Sequence, residues 1–577
     1  MKSPKKKVSR SSAKSAKKNP APSAPDVAPI SQPAPAQPRQ TTFRLPESVF
    51  KLAISNVAAF GDTDIFPSPL DRFVCSDNPE LPLSILKEID RTFNEFLASQ
   101  PPENINTLAP LGYTAFRWAT QIDPQWNLYF LSLVISIAET IESKRLAPSE
   151  SSAFSYRFLP DATTGHLFSD STWRHYKQAA LEKSKLYPFV LLADVADFYP
   201  RVAHHRLENE LQRLGRHEEE GKRIMALLSR FSQTRSYGLP IGGPASRILA
   251  ELALNPVDLF LNRKGIPFCR YVDDFHIFAR TKQEAYNYLA FLAQILFNEG
   301  LSLQKTKTRI LASSELQDAS AHLDLAATEK IELLPPEARL MRISVKFDPY
   351  SPTKDEDYEA LKAAVGSIDI VGILAREIAK TNIDTQITKQ AIAAVRALPT
   401  GVRAEAIASL LKPSNLETLA PVFGNVMRLI RSLYSEIDEN TKDLADATIT
   451  QLLSEGSHLT TNDLNLSYLL QVYGQRQSAR KERILIDLYD RSSSALVRKE
   501  IILVMAKWKA TYWLSDVLRR FGSLSKWEKK TFIVAAYHMN DEGEHWLDRA
   551  KFTFLSDENA IRKWYKERLP RVSEVPL

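Results

Sequence analysis

Between residues 186 and 311 the apolar pattern switches repeatedly between strand-like runs and helical spacing, and this alternation limits the fold more than any other feature. LYPFVLLADV reads as a buried strand and RLENELQRLG as a helix. ILAELALNPVDLFLNRKG is a second helix, FCRYVDDFHIFAR a pair of short strands around an acidic turn, and EAYNYLAFLAQILFNEG a third helix. The order strand, helix, helix, hairpin, helix defines a mixed α/β domain. Its predicted strands end or begin in acids: Asp194 closes the first, and Asp273 and Asp274 occupy the turn of the hairpin.

Carboxylates placed beside apolar strands are expensive unless something neutralises them, and a divalent cation is the simplest neutraliser. Mg²⁺ prefers hard oxygen ligands. Phosphoryl transfer from a nucleoside triphosphate uses two such ions about 3.5–4 Å apart, held by a small carboxylate cage. On its own, Tyr-Val-Asp-Asp reads more simply as a turn whose aspartates cap backbone amides. Three further segments outweigh that reading. DVADFY (194–199) puts an aromatic pair just after the first carboxylate, GLPIGGPAS (238–246) is a Gly-rich turn entering a helix, and LSLQKTKT (301–308) ends a helix with lysines.

In that order and spacing the four segments resemble motifs A, B, C and D of the reverse transcriptases. The resemblance implies that Asp194, Asp273 and Asp274 are both catalytic and metal-holding, with two Mg²⁺ as cofactor and Mn²⁺ as a substitute. It also implies that Tyr199 gates the sugar by excluding a 2′-hydroxyl, with Phe198, Pro240 and Gly242 in the nucleotide-binding pocket. Lys307 would relieve charge on the departing pyrophosphate. Two departures stand out. Ile241 occupies the place where templated enzymes commonly carry Gln, and no Lys-x-Arg-Pro fingers motif is found; Arg157 and Arg174 lie in that region instead.

Outside the α/β segment the chain is dominated by helical patterns. Residues 45–180 contain LPLSILKEIDRTFNEFLAS and QWNLYFLSLVISIAETIESKRLA together with turn-rich stretches such as GDTDIFPSP (61–69), which reads as an ordered loop capped by its own Asp and Thr. From about 330 onward short amphipathic helices follow one another, and a HEAT-like solenoid is the expected arrangement, with a compact bundle as the alternative. The fold class expected is therefore α+β: a reverse-transcriptase palm and fingers followed by an all-α HEAT-like repeat domain. The expected divisions are a disordered basic Pro/Ala-rich tail (1–42), a helical N-terminal and fingers region (43–185), the palm (186–325) and the all-α domain (326–577). At 577 residues, more than one core is expected.

The formal charge of +7 arises from the tail. Eight of the 75 basic residues fall within residues 1–20, which hold no acid, so the remaining 67 face 68 acids. Bulk charge thus says little about partners; the tail reads as a solubilising segment or an electrostatic tether to nucleic acid. Cys75 and Cys269 are isolated, which excludes a disulfide framework and a zinc cluster and fits a cytoplasmic location. No apolar run approaches the length of a membrane span.

The motif set together with an all-helical C-terminal half most resembles the bacterial abortive-infection and "unknown group" reverse transcriptases. That resemblance implies antiphage defence, homo-oligomers, and DNA extension that is untemplated and primed from the protein. Its implied partners are dNTPs, a DNA product, and an RNA template or noncoding RNA. A templated, retron-like enzyme is the alternative, and a non-catalytic scaffold a third. His204 and His205 point to different helix faces and read as ordinary histidines, His276 as a packed one, and Trp508, Trp513, Trp527 and Trp546 as core residues.

Overall fold

The computed structural model describes residues 43–577 except 68, 170–172, 325–335, 341–364, 367 and 573. The tail of residues 1–42 lies outside the described residues. From Arg44 to Leu577 the chain forms one compact unit. Its strands are β1 (Ile105–Pro110), β2 (Phe116–Gln121), β3 (Phe189–Asp194), β4 (Phe268–Tyr271), β5 (Asp274–Ala279) and β6 (Arg309–Ala312).

The apolar run of β3 makes it an inner strand, with Val190 and Leu191 fully buried. It lies in a four-stranded antiparallel sheet of order β4, β5, β3, β6. The register pairs Asp194 with Asp274 across β3 and β5, so both acids reach the same end of the sheet. Helices Pro244–Arg263 and Lys282–Asn298 accompany this sheet, the second packing on β3 and β5. Pro244 suits the first turn of its helix because its missing N–H would have no intrahelical partner there. Lys282–Asn298 starts where the Thr281 side chain accepts from Glu284 N.

Two features depart from the sequence expectation. Residues 45–180 were expected to be mainly helical, yet β1 and β2 form an antiparallel hairpin there. β1 buries Ile105, Thr107 and Ala109 in alternation, but Thr107 is polar while Leu108, Phe116 and Trp118 are exposed, so the apolar pattern of the sequence does not follow the burial. β6 follows directly on the lysine segment and pairs with β3; as a four-residue edge strand of half-buried and exposed positions it carries little periodicity.

The C-terminal half is helical throughout its described residues, from Ile370–Ile378 to Ser556–Arg568. Small polar side chains start several of these helices: Asp384, Asn462 and Ser478 accept from first-turn amides, and Ser525 with Glu528 forms a reciprocal capping box. Helices Phe423–Leu433, Asp463–Tyr473, Ala495–Lys507 and Lys526–Ala536 stack in a row, each on the next. Trp508, Trp513 and Trp527 are buried, while Trp546 packs among Phe521, Phe532 and Phe554. This half also closes on the N-terminal helices, through Trp527 Nε1 to Glu103 O (2.7 Å), Trp564 Nε1 to Asp77 Oδ2 (2.9 Å) and Lys530 to Asp71 (3.1 Å).

Candidate active site

Asp194 ends β3 with its backbone held from both sides. Val195 N donates to Asp273 O (3.1 Å), and Gln304 N donates to Asp194 O (2.7 Å), strapping the lysine segment alongside the acid. That strap brings Lys307 Nζ to 3.0 Å from Asp194 Oδ1. Asp194, Asp273 and Asp274 each place a carboxylate oxygen within 4.8 Å of the others, and among the described residues they are the one such group able to share an ion. Asp194 is buried, Asp273 half-buried, and Asp274 reaches solvent.

Crowding of like charge shows in the titration of the acids. Burial, reinforced by the charges of Asp274 and Asp194, pushes Asp273 up to about 6. Asp274 is also raised, by burial and by Asp194. Lys307 gives partial relief: burial alone would lower it, but its hydrogen bond and charge contact with Asp194 raise it. An all-oxygen, partly desolvated set under mutual repulsion fits a divalent cation, which would remove the repulsion and accept these hard ligands.

The turn bearing Asp273 is strained and braced. Val272 has φ +56°, a costly conformation for a β-branched residue. Its N–H donates to Ser155 Oγ (2.9 Å), and its carbonyl accepts from Arg270 Nη1 (2.9 Å). Arg270, fully buried, also donates to Asp258 Oδ1 (2.7 Å) and Glu251 Oε2 (2.9 Å). Glu251 in turn accepts from Ser155 Oγ (2.5 Å) and Arg145 Nη2 (2.7 Å). Burial would lower Arg270, but Asp258 and Glu251 outweigh it and hold the guanidinium charged. Two arginines and two acids therefore underlie the hairpin turn, and Arg145 extends the set to Glu142 (3.0 Å).

Motif B docks on motif A and on the 61–65 loop. Leu239 N donates to Tyr199 O (2.9 Å) and Gly238 N to Val202 O (2.8 Å). The Tyr199 ring meets buried Phe198 edge-on at 5.5 Å, and its hydroxyl is raised well above its usual value by burial and by the neighbouring Tyr156. Gly242 has φ +106°, and a Cβ there would stand 2.2 Å from Thr63 Oγ1, so only glycine fits against the loop. Pro240 lines a small cavity with Asp62 and Thr63. The loop acids do more than cap: Asp64 accepts from Arg247 Nη2 (2.9 Å), and Asp62 accepts from Gln121 Nε2 (2.9 Å).

Other sequence candidates fall outside this cluster. Arg157 is buried in bonds to Ala153 O, Leu146 O and Glu142, whereas Arg174 is exposed on helix Trp173–Ser184. His204 Nε2 lies 2.8 Å from Gly238 O, and His205 is exposed. His276 is pushed down to about 3 by burial and packs 4.9 Å from Tyr176, a neutral packed histidine.

Sequence reasoning missed Ser155, Arg247, Glu251, Asp258 and Arg270. A signal existed for three of them. Glu251 and Asp258 are two turns apart on one face of a leucine-rich helix, where acids need a cation, and Arg270 directly precedes the acidic turn.

A sheet that gathers three carboxylates at one end, with a lysine on the first and a glycine turn beside them, is the catalytic layout of a nucleotidyl-transferring palm. Residues 131–334 match the model of the family described as reverse transcriptase (RNA-dependent DNA polymerase), so the chain carries a reverse-transcriptase domain. Over 126 residues it is 27% identical to the Retron Ec86 reverse transcriptase of Escherichia coli, a match covering 21% of this chain and 38% of that protein. A solved structure of telomerase from Candida albicans with a TWJ fragment of telomeric RNA aligns over 61% of this chain and 67% of that one, at 10% identity and a TM-score of 0.27. Among the described residues, no helix is long and apolar enough to cross a membrane.

Proposed function

We propose that this chain is a DNA polymerase of the reverse-transcriptase type that adds deoxynucleotides to a 3′-hydroxyl. The observation that carries the proposal is the convergence of Asp194, Asp273 and Asp274 within 4.8 Å, inside the segment matched by the reverse transcriptase model. These acids would hold two Mg²⁺, or Mn²⁺ in their place. When bound, the ions supply activation of the attacking hydroxyl and neutralisation of the leaving pyrophosphate. Lys307, already on Asp194, supplies a mobile positive charge beside the departing group. The Tyr199 ring sets the floor under the sugar and disfavours a 2′-hydroxyl, with Phe198, Pro240 and Gly242 shaping the pocket around it.

The test is incorporation of labelled dNTPs by the purified chain with Mg²⁺, beside the D273A/D274A double variant. Incorporation by the wild type and none by a folded double variant supports the proposal; equal labelling by both refutes it.

Two biological settings follow from this chemistry. Antiphage defence with untemplated, protein-primed synthesis by a homo-oligomer follows from the motif set and the helical C-terminal half. Templated copying of a specific RNA is favoured by the match to the retron enzyme. Product sequence separates them: DNA complementary to a copurifying RNA selects the templated reading, and random or homopolymeric DNA joined to protein selects the other.

A further inference from the structure

Away from the three aspartates, a cavity of about 700 Å³ opens where Phe66–Phe73 meets the helical half. Seven of the nine charged side chains lining it are basic. Its two acids are already engaged, Asp71 by Lys530 at 3.1 Å and Glu500 by Lys499 at 3.2 Å. Lys389 and Arg428 stand exposed on the wall, near enough for each to feel the other's charge. Partial loss of water along its stem, together with Arg117 and Arg428, holds Lys389 below its ordinary value; Asp64, whose charge works the other way, is bonded to Arg247. Lys389 and Arg428 bring like charge to one wall of this cavity, and a bound anion would relieve their repulsion.

The same wall connects to motif B. The Arg428 guanidinium lies over the Tyr468 ring at 5.4 Å, and the Tyr468 hydroxyl donates to Ile65 O at 2.7 Å. Ile65 closes the loop whose Thr63 and Asp64 abut Gly242. A cavity of this size accommodates a nucleotide-sized ligand, and basic side chains beside aromatic rings suit its phosphates and base.

We propose that this cavity is a second site, distinct from the palm, for the phosphate groups of a nucleotide ligand, held by Lys389 and Arg428 and communicating with motif B through Tyr468 and the 61–65 loop. The phosphates come either from a free nucleotide or from a nucleic-acid strand.

Calorimetric titration in EDTA separates this site from the palm, because metal-dependent nucleotide binding is then suppressed. The probes are dATP, inorganic tripolyphosphate, and an oligothymidylate of about ten nucleotides. Wild type and the palm variant D273N are expected to bind dATP and tripolyphosphate alike, while K389A and R428A each lose at least about tenfold in affinity, the scale of one charge-assisted contact. Oligothymidylate binding at least about tenfold tighter than dATP, and lost in the same variants, assigns the phosphates to a strand. Both side chains are exposed, and thermal unfolding identifies any variant that fails to fold; R428K, which keeps the charge, is expected to retain part of the affinity. No binding of any probe by wild type, or unchanged binding by folded K389A and R428A, overturns the proposal.

Discussion

Replacing Asp273 by Asn is expected to stabilise the metal-free protein while destroying its function. Asp273 is pushed from an ordinary 3.8 up to about 6 by burial and by its two acidic neighbours. At about 1.4 kcal/mol per unit, ionising it in the folded state costs about 3 kcal/mol more than in the unfolded chain. The sign follows from linkage: a folded-state acid with a raised pKa holds its proton more tightly than the unfolded one. The penalty is therefore complete above pH 6 and fades as pH falls toward the unfolded value. Asn keeps the shape and removes the charge, so D273N should gain roughly 1–3 kcal/mol at pH 7 in EDTA, after a discount for solvent screening of a half-buried carboxylate. Unfolding is to be followed in EDTA and in Mg²⁺. Wild type should rise in stability with Mg²⁺ by mass action; D273N should start higher, respond little, and incorporate no dNTP. A D273N protein less stable than wild type in EDTA, or equally stabilised by Mg²⁺, would refute the reasoning.

Other outcomes follow from the same geometry. Mn²⁺ affinity, read by calorimetry, should fall as pH drops through about 6, because protonated Asp273 must lose its proton to bind; affinity flat from pH 5 to 7 would contradict this. R270M leaves Asp258 buried without its cation and Glu251 with Arg145 alone, and should cost about 3–5 kcal/mol in chemical unfolding. S155A removes the acceptor of the strained Val272 N–H and should cost about 1–3 kcal/mol, with weaker Mn²⁺ binding as the turn relaxes. K307Q removes the charge on Asp194 and should slow incorporation by roughly 10²-fold or more, with the fold unchanged by circular dichroism.

The parts legible in the sequence were those where burial imposes a pattern. β3 is an unbroken apolar run ending in Asp194, and β5 is a largely apolar, wholly buried run behind Asp274, so strands and acids could be read together. The tryptophans of the helical half were legible for the same reason. β6 and the β1–β2 hairpin were not, because an edge strand buries too little to leave a period and the hairpin buries Thr107, Thr120 and Gln121 while exposing Leu108, Phe116 and Trp118. Nor could the sequence show that the Asp62–Ile65 loop abuts Gly242, or that Ser155 and Arg145 meet Glu251 about a hundred residues away. Those contacts join segments with no local signal, and they decide how firmly the acidic turn is held.

Anomalous diffraction from Mn²⁺-soaked crystals tests the central claim most directly. The account predicts two Mn²⁺ peaks about 3.5–4 Å apart, liganded by carboxylate oxygens of Asp194 with Asp273 or Asp274, and Lys307 displaced from Asp194. No peak among the three aspartates in crystals that bind Mn²⁺ elsewhere, with Lys307 still on Asp194, would contradict it.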